Sequence, residues 1–220
     1  METLQPLKAV TLKEEFIKRF EELILSGKFP VGEWLPPERE LARTLKVSRP
    51  VVHEGLVDLA AKGLVMMYPR RGTMVNDYRK EGSLELLVSL FRYTQGVLDL
   101  RLLSGILEMR LLFETETARL AALNRTERDR ELFLDLLKEE EAFERMSAQE
   151  VSRVDYQFHH QIALAGGNIV YPLLMNSLKP FYIGILEKFY LNREVLMEIQ
   201  RFHRRIVSAI LVQDPQKAAE

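Results

Sequence analysis

The sequence predicts a mainly α-helical chain, with a small N-terminal head that contains one β-hairpin and a larger all-α helical bundle after it. Three observations lead to this prediction. Apolar residues recur at helical spacing over most of the 220 residues. One convincing pair of strands, LVMMY and TMVNDY, lies between residues 64 and 78. The polar connector RKEGS follows at residues 79–83, so we expect one domain at 1–78 and another at 79–220.

The composition limits the class of protein. A chain that is 47% hydrophobic and 29% charged, with a net charge of −1, is typical of soluble globular proteins. The absence of cysteine excludes disulfides and thiolate metal sites. The N-terminus lacks the apolar core of a signal peptide, and no later apolar run reaches membrane-spanning length. We therefore expect a soluble, cytoplasmic protein with no membrane partner.

The elements of the head follow from local signals. Thr11 and Glu14 form a capping box that opens the first helix, and Gly27 ends that helix. Pro37 precedes the short helix ERELARTL, and a second helix runs from about Arg49 to Lys62 after a tight turn. The two strands then flank the turn PRRG. Two short helices joined by a tight turn and followed by a hairpin predict a winged helix-turn-helix.

The second domain is predicted to contain helices alone, with capping boxes at Thr126 and Ser147 and a kink or a break near Pro180. Asp214-Pro215 is a good helix start close to the last residue, so we expect native residues, and one more helix, beyond Glu220. The acidic run Glu139–Glu141 is expected to be a solvated face. The predicted helices are 83–95, 99–123, 127–146, 148–165, 170–191 and 193–213.

The predicted head suits double-stranded DNA. Ser48 can cap the second helix and donate to a phosphate, while Arg49 can offer two donors to guanine. Arg70, Arg71 and Gly72 lie at the hairpin tip, where they suit a minor groove or the DNA backbone. Basic residues outnumber acidic ones between Arg39 and Arg79, although similar folds also occur in protein-interaction modules. The basic residues are Arg39, Arg43, Lys46, Arg49, Lys62, Arg70, Arg71 and Arg79, against Glu40, Glu54, Asp58 and Asp77.

The segment LPPERELARTLKVSRPVVHEGLVDLAAKGLV, with RRGTMV after it, resembles the N-terminal domain of the GntR regulators. The resemblance covers about residues 11–78 and implies that Arg39, Ser48, Arg49 and the wing tip contact operator DNA. The family usually has arginine where this chain has His53. Because a neutral imidazole is a poorer partner for phosphate or guanine, operator preference is expected to differ here.

Two polar residues of the second domain fall on an apolar helix face. Asp155 and His159 are four residues apart in DYQFHHQIALAGGN and share one side of the predicted helix. His203 lies on a second apolar stripe. Two histidines and one aspartate suit zinc or a similar divalent ion. A neutral buried histidine hydrogen-bonded to the aspartate is the alternative that the spacing leaves open.

The second domain resembles the FadR branch of the same family, through EMRLLFETETARLAAL, DYQFHHQIALAGGN and RFHRRIVSAILVQD. In the metal-binding members of the branch one Asp and three His form the site. Asp155, His159 and His203 match three of them, and the fourth ligand would lie beyond Glu220.

The acyl-CoA-sensing members of the branch, which have no metal site, are also similar, and they place an Arg and a Tyr near the ligand where this chain has Arg110 and Tyr182. Arg110 suits a carboxylate or a phosphate, with a salt bridge to Glu114 as the alternative. Tyr182 can equally be core packing.

Together these features predict a transcriptional regulator, not an enzyme: a homodimer that binds operator DNA and a small effector, either a carboxylate at a divalent metal or an acyl-CoA without metal. A metal-dependent hydrolase built on the same three residues is the rival from another class, although no glutamate is clearly placed as its general base. A helical interaction module without DNA binding is a third possibility.

Overall fold

The computed structural model describes residues 11–93 and 100–220, and these residues form two compact units. The head unit spans Met1–Gln95 and the helical unit spans Gly96–Glu220. The division lies beyond the boundary expected near residue 79, because the two helices that follow the hairpin belong to the first unit. Among the described residues, no helix is both long and apolar enough to span a membrane.

The head unit is a winged helix-turn-helix, as the sequence predicts. Strands β1 and β2 pair antiparallel with Val65 opposite Val75, and the segment before α2 joins them through a bridge between Trp34 and Met74. The capping box of Thr11 and Glu14 is present. The elements are α1 (Leu12–Leu25), α2 (Glu38–Leu45), α3 (Arg49–Ala61), β1 (Val65–Tyr68), β2 (Gly72–Val75), α4 (Tyr78–Glu81) and α5 (Leu84–Tyr93).

The core of the head unit forms where α1, α3 and the hairpin pack together. Phe16, Val52 and Leu59 are buried in it, and Leu86 of α5 joins the same cluster. Glu21 is buried as well, and its carboxylate accepts hydrogen bonds from Lys62 Nζ at 2.5 Å and from Ser89 Oγ at 2.7 Å. A buried carboxylate is tolerated when it is paired in this way. These contacts assign α5 to the head unit.

The helical unit contains only helices among its described residues. The predicted capping boxes at Thr126 and Ser147 are both present. Helix α8 contacts α6, α7 and α9 and carries ten buried residues, so it is the central helix of the bundle. The elements are α6 (Leu100–Asn124), α7 (Glu127–Glu140), α8 (Ala148–Ala165), α9 (Val170–Phe189), α10 (Leu196–Leu211) and α11 (Pro215–Ala219).

Three predicted helix features differ from the structure. Helix α7 ends at Glu140 instead of continuing to 146, and a 3₁₀ turn, Phe143–Arg145, follows it. The predicted helix at 193–213 begins with a 3₁₀ turn, so α10 starts at Leu196. Pro180 lies inside the continuous helix α9 and does not divide it. In the first case tertiary packing overrides helical periodicity, since Phe143 is fully buried in a different cluster from Phe133 of α7.

Candidate functional site

The exposed face of the head unit carries the residues that the sequence assigned to DNA. Arg39 of α2, Arg49 of α3, and Arg70 and Arg71 of the hairpin line one groove of about 750 Å³, together with Gly72. All four arginine side chains are exposed. The fold therefore brings four cations from three separate elements to one surface, and this arrangement provides the positive charge that a phosphate backbone attracts.

The start of α3 is arranged as a helix N-terminus that can receive an anion. Ser48 is the N-cap, and its Oγ accepts a hydrogen bond from the Val51 amide at 3.5 Å. Because that bond uses Oγ as an acceptor, the hydroxyl proton of Ser48 stays available for a phosphate. Arg49 is the first residue of α3, directly at the positive end of the helix dipole.

The hairpin tip presents its two arginines differently. Arg70 has a φ of 62°, in the left-handed region, and Gly72 has a φ of 114°. The guanidinium of Arg71 lies 5.4 Å from the ring centroid of Trp34 and 5.8 Å from that of Tyr68. The two aromatic rings are thus placed for cation–π contact with Arg71 and restrict its orientation. Sequence reasoning missed Trp34, although an exposed tryptophan directly before the LPPERELA motif is an available signal.

His53 lies apart from the groove-lining arginines. Its Nδ1 is 2.8 Å from Oε1 of Glu38, and its side chain is exposed. Glu38 itself lines the groove, whereas His53 does not. In this arrangement His53 contacts an acidic side chain that lines the groove.

The second candidate site lies in the helical unit. Asp155 and His159 of α8 and His203 of α10 each offer one ligand atom, and these atoms lie within 4.8 Å of one another. The exposed fractions of the three residues are 2%, 9% and 2%. Phe158 stacks on the ring of His203 with a centroid distance of 3.9 Å, which restricts rotation of that ring. The structure therefore brings together the three ligands predicted from the sequence.

Two phenols surround the Asp155 carboxylate. Tyr190 donates a hydrogen bond of 2.5 Å to Oδ1, and Tyr182 lies 3.5 Å from Oδ2. Burial, and then the negative charge of Asp155, raise the pKa of Tyr190. Burial, and then Glu114 and Asp155, likewise raise the pKa of Tyr182. Both phenols therefore remain protonated. Tyr190 donates to Asp155, whereas the Tyr182 hydroxyl lies nearer to Oε1 of Glu114, at 3.2 Å. Sequence reasoning missed Tyr190.

Glu140 corrects an expectation from the sequence, because it is 1% exposed and does not belong to a solvated face. Its Oε1 lies 2.7 Å from Nδ1 of His203. Its Oε2 is buried and has no hydrogen-bond partner among the described residues. Burial raises the pKa of Glu140, against the opposing effect of His203. A signal was available, since Phe133, Leu136, Leu137 and Glu140 follow helical spacing.

Arg110 and Tyr182 belong to the same polar network. Arg110 donates from Nε to Glu114 and from Nη2 to the Tyr182 hydroxyl, each at 2.8 Å. The salt bridge to Glu114, which the sequence left open as the alternative for Arg110, is therefore present. Burial acts to raise the pKa of Glu114, but Coulombic attraction from His159 and Arg110 outweighs burial, so the pKa is lowered. Burial lowers the pKa of His159 against the opposing effects of Glu114 and Asp155.

Acidic side chains outnumber basic ones in this network. Within the described part of the chain, the hydrogen-bonded and ion-paired groups around Asp155 include three carboxylates, Asp155, Glu114 and Glu140, and one guanidinium, Arg110. Carboxylates gathered in this way are stabilised when a cation lies among them. The donor set of two imidazoles and one carboxylate fits a divalent metal.

A cavity of about 660 Å³ adjoins this site. His159 and Glu114 line it, Arg205 and Lys217 contribute cationic groups, and most of the remaining lining is apolar. Such a mixture of apolar walls with a few polar groups is usual for a small-molecule pocket.

The chain is similar to known proteins over both units. Residues 12–75 match the sequence profile described as "Bacterial regulatory proteins, gntR family", and residues 105–220 match the FCD domain profile. The HTH-type transcriptional regulator Mce2R of Mycobacterium tuberculosis is 32% identical over 220 residues, which cover 99% of this chain and 90% of the relative. The fatty acid metabolism regulator protein of Erwinia tasmaniensis is 28% identical over 189 residues, covering 86% of this chain and 77% of the relative.

Solved structures show a similar fold. A GntR protein of Streptococcus agalactiae has a TM-score of 0.50 and 28% identity, and the match covers 94% of this chain and 93% of that one. Lar of Listeria monocytogenes has a TM-score of 0.64 at 18% identity, with coverage of 97% and 92%.

Proposed function

The chain belongs to the gntR family of bacterial regulatory proteins and carries an FCD domain, and from this premise we propose that a small carboxylate effector, bound at a divalent metal in the helical unit, controls its affinity for operator DNA. Membership of the family makes the chain a transcriptional regulator and not an enzyme, so the hydrolase considered from the sequence is set aside.

The observation that carries the metal proposal is the cluster of three ligand atoms that lie within 4.8 Å of one another, in a network where carboxylates outnumber cationic side chains. Asp155, His159 and His203 would hold the ion. When bound, such an ion supplies a Lewis-acidic position at which an effector carboxylate can bind. The adjoining cavity offers apolar walls and the cationic groups of Arg205 and Lys217 for the rest of the effector. In the proposed site, Arg110 donates a hydrogen bond to Tyr182, and its guanidinium would also contact an anionic effector.

Metal content tests this part of the proposal. Protein purified without chelators and without a metal-affinity step is expected to contain a divalent metal in a stoichiometric amount by elemental analysis. Asp155→Asn should lose most of it, whereas Asp135→Asn, an exposed carboxylate of α7, should retain it. A metal-free wild type that binds a fatty acyl-CoA would instead support the acyl-CoA-responsive alternative, to which the 28% identical fatty acid metabolism regulators point.

The DNA part of the proposal rests on the groove of four arginines. Arg49→Ala is expected to weaken binding to the operator by about 1–3 kcal/mol, because Arg49 at the tip of α3 can donate two hydrogen bonds to a guanine. Arg19→Ala removes the same charge from an exposed position of α1 outside the groove, and it should leave affinity nearly unchanged. A gel-shift titration with a duplex selected by the wild type from a random pool measures both, and equal affinity for Arg49→Ala and wild type would refute the assignment.

Ser48, His53, Arg39 and the wing tip are proposed to contribute around Arg49, with Arg70 and Arg71 on the minor groove or the backbone. We further propose that the regulator acts in the cytoplasm as a homodimer, since two heads are needed to contact the two half-sites of a symmetric operator. Light scattering of the free protein, and the stoichiometry of the gel-shifted complex, test the dimer.

A further inference from the structure

Glu140 is fully buried, which is rare for a glutamate and usually reflects a specific role. It is the last residue of α7, and it is buried while its neighbours Glu139 and Glu141 are exposed. Gln200 of α10 donates a hydrogen bond of 2.5 Å to the backbone carbonyl of Glu140, so the end of α7 is fixed against α10. A carboxylate buried to this extent normally requires full pairing.

Only one of the two carboxylate oxygens of Glu140 has a partner in the described part of the chain. Its Oε1 lies 2.7 Å from Nδ1 of His203, and its Oε2 is buried without a partner in the described part of the chain. A structural salt bridge would be expected to use both oxygens, because an unsatisfied buried oxygen costs free energy. The carboxylate is therefore placed for the single contact with His203.

This contact determines which nitrogen of His203 is free. When Oε1 of Glu140 accepts the proton of Nδ1, the lone pair of Nε2 is left available. Nε2 lies 3.7 Å from Oδ1 of Asp155, on the side of the candidate metal ligands. Phe158 stacked on the ring at 3.9 Å hinders a flip that would exchange the two nitrogens.

We propose that Glu140 is a positioning residue for the metal site, which holds His203 in the tautomer and orientation that present Nε2 to a divalent cation. The inference rests on the proposed metal-binding function. A histidine ligand that donates its other ring N–H to a carboxylate is bound more tightly, and loss of such a partner typically costs about 10- to 100-fold in metal affinity. Glu140 itself does not contact the ion.

The test measures the affinity of the purified full chain for Zn²⁺ by competition with a chromophoric chelator. Glu140→Leu is expected to bind about 10- to 100-fold more weakly than wild type, since nothing then fixes the tautomer of His203. Glu140→Gln keeps an oxygen acceptor for Nδ1–H without the charge, so its affinity should fall between the two. Glu139→Gln, which changes the exposed neighbour, should match wild type.

Two further readouts separate positioning from a structural role. Thermal unfolding of the metal-free proteins should show little loss of stability for Glu140→Leu, because Oε2 of the carboxylate is already unsatisfied. The absorption spectrum of bound Co²⁺ should be changed in Glu140→Leu and preserved in Glu140→Gln. If metal-free stability and affinity fall together while the spectrum is unchanged, the role is structural and the inference is wrong.

The outcomes also distinguish the positioning role of Glu140 from the metal-binding function on which it rests. If wild type binds no Zn²⁺, the metal-binding function fails. If wild type binds Zn²⁺ and both Glu140 variants bind it equally well, only the positioning role of Glu140 fails. Should Glu140→Leu not fold, Glu140→Gln decides, because wild-type affinity in that variant would overturn the inference.

Discussion

The hydroxyl of Tyr190 donates a hydrogen bond of 2.5 Å to Oδ1 of Asp155, and both side chains are buried. Tyr190→Phe keeps the ring and removes this donor, so the free energy of unfolding of the metal-free protein should fall by about 1.5–3 kcal/mol, the range for a hydrogen bond to a charged group. Denaturant unfolding followed by circular dichroism measures the change.

Tyr156→Phe is the matched control for this prediction. Tyr156 is also buried, but its hydroxyl donates to a neutral acceptor, Oδ1 of Asn176, at 3.0 Å. Its loss should cost only about 0.5–1.5 kcal/mol. If the two substitutions destabilise the protein equally, the hydroxyl of Tyr190 does not donate to a charged acceptor.

The residues of the buried site differ in how far the sequence predicts them. Asp155 and His159 were predictable because both are polar residues on the apolar face of one helix, at a spacing that brings them together, and His203 because it is a polar residue on the apolar stripe of another helix. The contacts of Glu140 and Tyr190 were not, because they depend on how the end of α7 and the residue after α9 pack against α8 and α10. An acidic run also resembles a solvated face unless its helical phase is followed from Phe133.

The close packing of α3 against α1 predicts the effect of a substitution at Gly55. Gly55 of α3 faces α1, and a Cβ at this position would lie 2.3 Å from Cδ1 of Phe16. Phe16 is itself stacked on Phe20 at 4.3 Å, so its ring has little freedom to move. Gly55→Ala should therefore lower the free energy of unfolding by about 1–3 kcal/mol, despite the higher helix propensity of alanine.

Gly105→Ala is the contrasting substitution. Gly105 lies within α6, and among the described residues a Cβ there would meet no heavy atom within 4 Å outside the nearby backbone of its own helix. Only the higher helix propensity of alanine then affects stability, and the substitution should stabilise the protein by about 0.5–1 kcal/mol. Thermal unfolding of both variants is the measurement, and a Gly55→Ala protein as stable as wild type would show that α1 and α3 can separate slightly at little cost.

Helices that begin with a capping box were predicted correctly, whereas helix ends that are set by tertiary packing were not. The capping boxes of α1, α7 and α8 appear where Thr11, Thr126 and Ser147 indicated, since capping depends on residues a few positions apart. The end of α7 at Glu140 has no such local signal. Phe143 continues the apolar period of α7, and its burial in a separate cluster is a tertiary effect.

At the scale of the whole molecule, the two units have separate hydrophobic clusters and different chemistry. The head unit gathers the arginines of the groove, whereas the helical unit gathers more carboxylates than cationic side chains around Asp155, and a net charge of −1 conceals both. The boundary between the two units was not predictable from composition. Helix α5 belongs to the head unit because Leu86 packs in its core and Ser89 donates a hydrogen bond to Glu21. The polar connector at residues 79–83 gives no indication of these contacts.

Separate cores allow the effect of a metal to be assigned to one unit. The single tryptophan of the chain, Trp34, lies in the head unit, so its fluorescence reports unfolding of that unit. A ligand that binds only the folded state at 100 times its dissociation constant stabilises it by about 2.7 kcal/mol. Saturating Zn²⁺ should therefore raise the calorimetric transition of the helical unit and leave the Trp34 transition in place. Asp155→Asn should abolish the shift. An unchanged calorimetric transition in wild type would contradict metal binding at Asp155, His159 and His203, and an equal shift of the Trp34 transition would show that the two units unfold together.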